Sequence, residues 1–297
     1  MDINRSTMTA LFTGLSTAFN GRLEATTAYY QHVAMTVNST TAANQYPRMD
    51  DLPGFREWIG DRVVHDLSMQ AQIIVNKEYE KTIGVKRSQI EDDQLGFLSQ
   101  TIGGWGQDSA TFPDELVFPL LKSGETSVCY DGQYFFDTDH PGYDENGAEI
   151  SVSNVTAGAA TPWYLVDDSQ VVKPLIYQTR KPFKLTAMDA MTDENVFHKG
   201  RFEYGIDGRA GAGYGLWQTI HKSRAVLNAD NYAAVRAAMM GIRRRDGRAN
   251  AIRPTKLLVP PTLEQAGRKL LEAEFIDGGD SNIWKGTAEL VVIPDLA

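Results

Sequence analysis

The segment from Phe55 to Phe97 constrains the fold most, because its second half is a strand that is charged on both faces. Residues Ile73 to Val85 are rich in β-branched and aromatic side chains, which is typical of a β-strand. Side chains alternate along a strand, so one face is polar and the other mixes lysines with apolar residues. The first face holds Asn76, Glu78 and Glu80, and the second holds Val75, Lys77, Tyr79, Lys81 and Ile83. Neither face is an apolar core face.

The first half of this segment predicts a partner strand. Val63 and Val64 favour extended structure, and Ser68 to Gln70 can supply the turn between the two strands. A lone two-stranded hairpin is marginal in water, and exposed strand edges pair with other chains. We therefore expect a projecting arm that neighbouring subunits complete. Its predicted subunit contacts are Arg62, Asp66, Lys77, Glu78, Glu80 and Lys81.

Charge and cysteine content exclude several classes of protein. A net charge of −9 over 297 residues argues against a nucleic-acid binder, because neutralising phosphates requires a positive field. Cys129 is the only cysteine, which excludes an internal disulfide and every cysteine-based zinc cluster. The apolar runs are too short to span a bilayer, and the first residues lack a secretory signal. We expect synthesis and function in a cytoplasm, with no membrane contact.

The first half of the chain predicts helices around the arm. Leu11 to Phe19 has helical spacing, which indicates an N-terminal arm with one amphipathic helix. A second helix is expected from Asp92-Asp93, interrupted by glycines at Gly103 to Gly106. Another helical stretch follows Pro113, and the two together predict one long, interrupted spine.

The second half alternates strands with turns and then becomes α/β. Gly205 to Gly215 is interpreted as a flexible, glycine-rich bend. Thr262 and Gln265 predict a capping box at the last helix. The pattern favours two interlocked subdomains. Predicted strands are 163–166, 171–177, 183–186, 197–206, 256–259 and 288–293, and predicted helices are 231–242 and 262–275.

One loop carries residues that could do chemistry. Asp137, Asp139 and His140 could hold a divalent metal in a hydrolase, but their spacing does not fit a calcium loop and the segment has the composition of a tight surface turn. Cys129 has no histidine nearby in sequence, although the fold could bring one close. We predict no catalytic, cofactor-binding or metal-binding residue, and no enzymatic activity.

Five segments in order resemble one known family. They are REWIGDR (56–62), YEKTIGVKRSQIEDDQLG (79–96), FFDTDHP (135–141), DGRAGAGYGLW (207–217) and TKLLVPPTLEQAGRKLL (255–271). This set is similar to the Mu-like phage major head subunit, the gene product T family, over nearly the whole chain. The resemblance implies an α+β Hong Kong-type phage capsid fold, with an N-terminal arm, an extended β-hairpin loop, a peripheral domain with a spine helix, and an axial α/β domain.

The same resemblance implies domain limits and partners. Residues 1–55 would form the arm, 56–92 the extended loop, 93–216 the spine helix and peripheral domain, and 217–297 mainly the axial domain with a C-terminal return strand. The implied function is self-assembly into an icosahedral shell that encloses phage DNA, built in the host cytoplasm and retained in the virion. Partners would be hexamers and pentamers of the same chain, a scaffolding protein, a portal, a decoration protein and weakly held DNA. The alternatives are the metal-dependent hydrolase and another virion component, such as a tail-tube or decoration protein.

Overall fold

The computed structural model describes residues 3–47, 71–92, 96–275 and 279–297. The helices are α1 (Arg5–Ala25), α2 (Arg87–Glu91), α3 (Phe97–Lys122), α4 (Glu194–Lys199), α5 (Ala229–Met240) and α6 (Glu264–Leu271). The strands of the first half are β1 (Ala34–Asn38), β2 (Ala43–Pro47), β3 (Ala71–Val75), β4 (Lys77–Lys86), β5 (His140–Tyr143), β6 (Glu149–Val152) and β7 (Val155–Thr156). Those of the second half are β8 (Trp163–Val166), β9 (Leu175–Met188), β10 (Arg201–Tyr214), β11 (Ile220–Ser223), β12 (Lys256–Val259) and β13 (Glu289–Val292).

Helices α1 and α3 pack against each other, and this contact explains the glycines of α3. Helix α1 is the predicted amphipathic helix, capped by Asn4 and burying Leu15 and Phe19. The predicted interruption of the spine is wrong, because α3 runs without a break for 26 residues through the glycines. A Cβ at Gly106 would overlap the Phe19 carbonyl oxygen, so a glycine is needed there for the two backbones to approach. The helix begins at Phe97 rather than at Asp92-Asp93.

The larger strands form a four-stranded sheet in the order β1-β9-β10-β4. Strand β10 was predicted in part as a flexible bend, and that prediction is wrong. It is a 14-residue strand hydrogen-bonded on both sides. The glycines of β10 leave space for β3, which packs across the face of β10. A Cβ at Gly211 would lie only 2.5 Å from the Val75 carbonyl oxygen. These glycines are needed for close packing rather than for flexibility.

The charged strand of the predicted arm lies in this sheet. All ten residues of β4, from Lys77 to Lys86, pair antiparallel with β10 of the same chain. The expectation that this strand is completed by a neighbouring subunit is therefore wrong for its pairing with β10, although none of its ten residues is fully buried. Tyr79, Ile83 and Val85 share a face, and Ile83 and Val85 pack against a hydrophobic core that includes α1 and α3. The predicted partner strand at Val63-Val64, and the turn, lie outside the described residues.

The predicted continuous strand from Ile73 to Val85 is also interrupted. Asn76 separates β3 from β4, and its buried side chain donates hydrogen bonds to Ser39 Oγ and the Thr41 carbonyl oxygen. Strand β3 pairs antiparallel with β2, between residues 43–47 and 71–75. The chain therefore leaves the β2–β3 ribbon at Asn76 and enters the four-stranded sheet as β4.

A second sheet has five strands in the order β13-β12-β8-β11-β7. The predictions for β8 and β12 are confirmed residue for residue. The predicted strands 171–177 and 183–186 both overlap the single strand β9. The segment predicted as strand 197–206 begins inside helix α4. The predicted capping box is wrong: a 3-10 turn at Pro261–Leu263 precedes α6, whose N-cap Leu263 makes no side-chain cap hydrogen bond.

Two hydrophobic cores follow this layout. One lies between α1, the first half of α3, and the distal parts of β9 and β10. The other surrounds the five-stranded sheet, with α5, α6 and the second half of α3. Because β7 and β8 belong to the sheet that also contains β11 to β13, the expected boundary at residue 217 cuts across that sheet. Within the part of the chain described, none of the helices is both long and apolar enough to cross a bilayer.

Candidate functional site

The charged residues of β4 face helix α3 and strand β10 of the same chain. Lys81 Nζ lies 2.7 Å from Asp108 Oδ2 on α3, and 5.7 Å from the centre of the Trp105 ring. Glu78 Oε1 lies 3.4 Å from Arg209 Nε on β10. Both acidic partners are well exposed, with 57% of the Asp108 side chain and 79% of the Glu78 side chain accessible. Exposed pairs of this kind contribute only about 0–1 kcal/mol to folding.

Aromatic packing fixes the position of this charged surface. The Tyr79 ring meets Phe112 edge to face with ring centres 4.6 Å apart, and Phe112 meets Phe183 in the same way at 5.0 Å. These contacts connect β4 and β9 through α3. The sheet therefore presents a row of charges on a packed strand rather than on a loose arm, with the lysines on one face and the glutamates on the other. Four of the six predicted contact residues lie on this row, namely Lys77, Glu78, Glu80 and Lys81, while Arg62 and Asp66 lie outside the described residues.

The loop that suggested a hydrolase does not gather its three residues into one site. Asp137 accepts hydrogen bonds from the backbone N–H groups of Tyr134 and Thr138, as a turn residue does. The exposed Asp139 side chain interacts with Asp137, and their hydrogen bond raises the pKa of Asp139. His140 points the other way and is fully buried. The two acids therefore lie on the surface without the imidazole that a shared metal site would need.

The fold gives His140 different neighbours, which sequence reasoning missed. His140 Nδ1 lies 2.7 Å from Asp131 Oδ2, and Cys129 Sγ donates a hydrogen bond to Asp131 Oδ1 over 3.0 Å. The imidazole also stacks on Trp217, with ring centres 4.1 Å apart. Burial opposes ionisation of Asp131, but hydrogen bonds from His140 and Cys129 more than offset it, so the pKa of Asp131 is lowered. The FDTDHP sequence alone carries no sign that His140 turns inward.

The comparison with known families decides the identity of the fold. The sequence profile described as Mu-like prophage major head subunit gpT matches residues 8–296. The chain belongs to the Mu-like major head subunit family. The resemblance found in its motifs is thereby confirmed.

Two curated members of the Mu-like family are similar along most of the chain. The Mu-like prophage FluMu major head subunit of Haemophilus influenzae is 42% identical over 273 residues, which cover 90% of this chain and 89% of that protein. The major capsid protein of Escherichia phage Mu is 37% identical over 301 residues, covering 98% of this chain and 99% of its own. This chain is therefore a major head protein of the Mu-like type, a structural component of the virion.

Solved structures agree with the Mu-like assignment. The procapsid subunit of bacteriophage JBD30 superposes with a TM-score of 0.87 at 38% identity, covering 99% of this chain and 100% of that one. The capsid of the same phage gives a TM-score of 0.79 at 29% identity, with 100% of both chains covered. The expected α+β phage capsid fold is confirmed, and a shell built from many copies of the chain is supported. The hydrolase alternative is not favoured.

Proposed function

We propose that this head protein assembles as hexamers and pentamers, and that the charged row on β4 is part of the contact between subunits. The observation that supports the proposal most directly is the match over nearly the full chain to a subunit of an assembled procapsid. A shell multiplies weak contacts, because each copy has several neighbours. Residues that contribute little to folding can therefore decide assembly.

The charges of β4 suit such a contact. Lys77, Glu78, Glu80 and Lys81 are all exposed, and they place two positive and two negative charges within five residues of one strand. In the described residues β4 pairs with β10 along one edge only, since it ends the order β1-β9-β10-β4. A strand that ends a sheet offers backbone groups to a further chain. Arg62 and Asp66 complete the proposed set of contact residues.

The partners expected from the family are part of this proposal. The JBD30 capsid is described as decorated with minor capsid protein trimers, which supports a decoration protein here too. A scaffolding protein and a portal follow from assembly of a DNA-filled head in the host cytoplasm. A net charge of −9 favours weak, non-specific contact with packaged DNA. The divergent directions of Asp137, Asp139 and His140 support a chain without enzymatic activity.

We also propose a structural role for each successive part of the chain. Residues 1–55 would act as the N-terminal arm, 56–92 as the extended loop, 93–216 as the spine and peripheral domain, and 217–297 as most of the axial domain. The two hydrophobic cores support a peripheral and an axial unit. The sheet that joins β8 to β11 and β12 indicates that the axial unit also takes residues 155–166.

A charge reversal tests the interface without disturbing the fold. We expect Glu78→Lys with Glu80→Lys to change the free energy of unfolding of the subunit by about 1 kcal/mol or less, because both side chains are exposed. Co-expressed with its scaffolding protein, the variant should give few or no shells in sedimentation and negative-stain electron microscopy. Screening should make assembly of the unaltered chain sensitive to salt, since charges interact little beyond about 10 Å at roughly 0.1 M salt.

The matched control is Glu145→Lys with Glu149→Lys. It makes the same change in net charge at exposed residues of the β5–β6 hairpin. We expect that control to assemble. Normal shells from the β4 variant would show that the row on β4 is not a subunit contact, and early unfolding of its monomer would show that these charges serve the fold of the single chain.

A further inference from the structure

Three chemically different ligand groups converge beneath Trp217, in a place that the head-protein function does not explain. Cys129 and Asp131 lie on a tight turn closed by a hydrogen bond from Cys129 N to the Gln133 carbonyl oxygen, 2.8 Å long. His140 is the first residue of β5. One thiol sulfur, one carboxylate oxygen and one imidazole nitrogen all lie within 4.8 Å of one another.

We propose that Cys129, Asp131 and His140 form a binding site for one zinc ion. Zinc bonds are about 2.3 Å to sulfur, about 2.0–2.1 Å to nitrogen and about 2.0–2.2 Å to oxygen, so two ligands of one ion lie about 3–4 Å apart. The measured distances of 3.0 Å between Cys129 and Asp131 and 2.7 Å between Asp131 and His140 require only a small opening of the cluster. The remaining position of a tetrahedral ion is filled by water.

A bound zinc ion would take the place of the two protons that form hydrogen bonds within the cluster. In the metal-free cluster, protons lie between Cys129 Sγ and Asp131 Oδ1, and between Asp131 Oδ2 and His140 Nδ1. On binding, the thiol proton leaves to solvent and the imidazole becomes the Nε2–H tautomer, which frees Nδ1 for the metal. The thiolate and the carboxylate together balance the two positive charges of the ion. A neutral cluster matters because an uncompensated charge is costly to bury.

The surroundings hold the ligands in place, as supporting residues do around known zinc sites. The side chains of Asp131 and His140 are 0% exposed, and Cys129 is 7% exposed. Stacking on Trp217 fixes the plane of the imidazole, with 8° between the rings. The backbone N–H of Gln133 donates to Asp131 Oδ1 over 3.1 Å. His140 Nε2 is buried with no hydrogen-bond partner among the described residues, so the Nε2–H of the zinc-bound ring has no acceptor there, and metal binding must exceed the cost of that unpaired donor.

The mixture of ligands selects the metal. Thiolate and imidazole groups favour zinc, whereas calcium and magnesium prefer sets made of oxygen atoms only. A single cysteine excludes zinc sites that need several thiolates, whereas the site proposed here uses one thiol beside a carboxylate and an imidazole, contrary to the expectation of no metal-binding residue. A bound ion would join the 129–133 turn to β5 and so stabilise the packing around Trp217.

Cobalt titration of the chelator-treated, full-length chain tests the site, because a cobalt–thiolate bond gives a near-ultraviolet charge-transfer band. We expect one cobalt ion per chain, the thiolate band, and its loss when zinc is added. Zinc at about a hundred times its dissociation constant should also raise the melting temperature by roughly 5 °C, reversibly with chelator. A wild-type chain without the thiolate band, or without a zinc-dependent shift, overturns the proposal.

Substitutions of the proposed ligands test where the ion binds. Cys129→Ser should abolish the thiolate band, and His140→Gln should weaken zinc affinity at least tenfold. The control is Asp137→Asn with Asp139→Asn, which changes two surface acids of the neighbouring loop and should leave zinc binding unchanged. A metal lost in the control but retained in Cys129→Ser would place binding on the surface loop and overturn the proposal. The wild-type titration decides the question if either variant fails to fold.

Discussion

Gly106 of α3 lies directly against the carbonyl oxygen of Phe19 in α1, with no space for a methyl group between them. The obstacle is backbone, which cannot rotate away as a side chain can. The contact joins the N-terminal helix to the spine of the head protein. The glycines of α3 suggested a break in the helix, but Gly106 instead allows the two helix backbones to approach closely.

This relationship predicts opposite effects for two neighbouring glycines. Gly106→Ala should lower the free energy of unfolding by about 1–3 kcal/mol, because the added methyl group overpacks the helix contact. Gly104→Ala is the matched control, since a Cβ there meets nothing within 4 Å. Gly104→Ala should stabilise the chain by about 0.5–1 kcal/mol through helix propensity. Chemical denaturation of both variants measures the difference, and equal effects would contradict the packing role of Gly106.

Asp114 makes a second stabilising contact between α3 and the N-terminal segment. Its two carboxylate oxygens accept hydrogen bonds from the backbone N–H groups of Tyr29, at 3.0 Å, and Tyr30, at 2.6 Å. Asp114→Asn replaces one acceptor by a donor and leaves an N–H unpaired, which should cost about 1–3 kcal/mol. Glu115→Gln, the adjacent exposed residue, makes the same chemical change and should have little effect on thermal unfolding. Similar losses from both variants would refute a stabilising role for the hydrogen bonds of Asp114 with Tyr29 and Tyr30.

Breaking the ion pair between Lys222 and Glu125 should cost a different amount of stability depending on which residue is replaced. Its side chain is 2% exposed, and its Nζ lies 2.8 Å from Glu125 Oε2. Glu125→Gln leaves a buried ammonium group without its counter-charge and should cost on the order of 2–3 kcal/mol, after allowance for the partial exposure of Glu125. Lys222→Met leaves no buried charge and should cost less. Denaturant unfolding compares the two variants, and a greater loss from Lys222→Met would show that the ammonium group itself stabilises the fold.

The buried imidazole of His221 should make the stability of the fold depend on pH. Burial lowers the pKa of His221 to about 4 from its ordinary 6.5. The unfolded chain therefore takes up a proton at a higher pH than the folded chain, so stability is fully present above pH 6.5 and is lost as pH falls toward 4. The loss should reach about 3 kcal/mol over that range, at 1.36 kcal/mol per pKa unit. His221→Gln should remove this part of the pH dependence in unfolding curves recorded from pH 7.5 to 4.5. Parallel curves for the two proteins would contradict it.

Local patterns in the sequence determined much of the architecture. The apolar runs at 163–166 and 256–259 became β8 and β12 without a shift, and the helical spacing from Leu11 to Phe19 became part of α1. Strand and helix periodicities are properties of neighbouring residues, so they can be read without knowing the fold. Five motifs between residues 56 and 271 identified the Mu-like family, because a fixed order of short sequences can also be recognised without knowing the fold.

Only the tertiary structure decided what the glycines, the charged strand and His140 do. The glycines of α3 and β10 were interpreted as flexible because their close neighbours, α1 and β3, are distant in sequence. Strand β4 was expected to pair with a neighbouring subunit because its partner β10 lies more than a hundred residues away in the sequence. His140 was grouped with the acids beside it in the loop, whereas the inward turn of its side chain pairs it with Asp131. Such contacts depend on backbone geometry over long separations, which local periodicity does not encode.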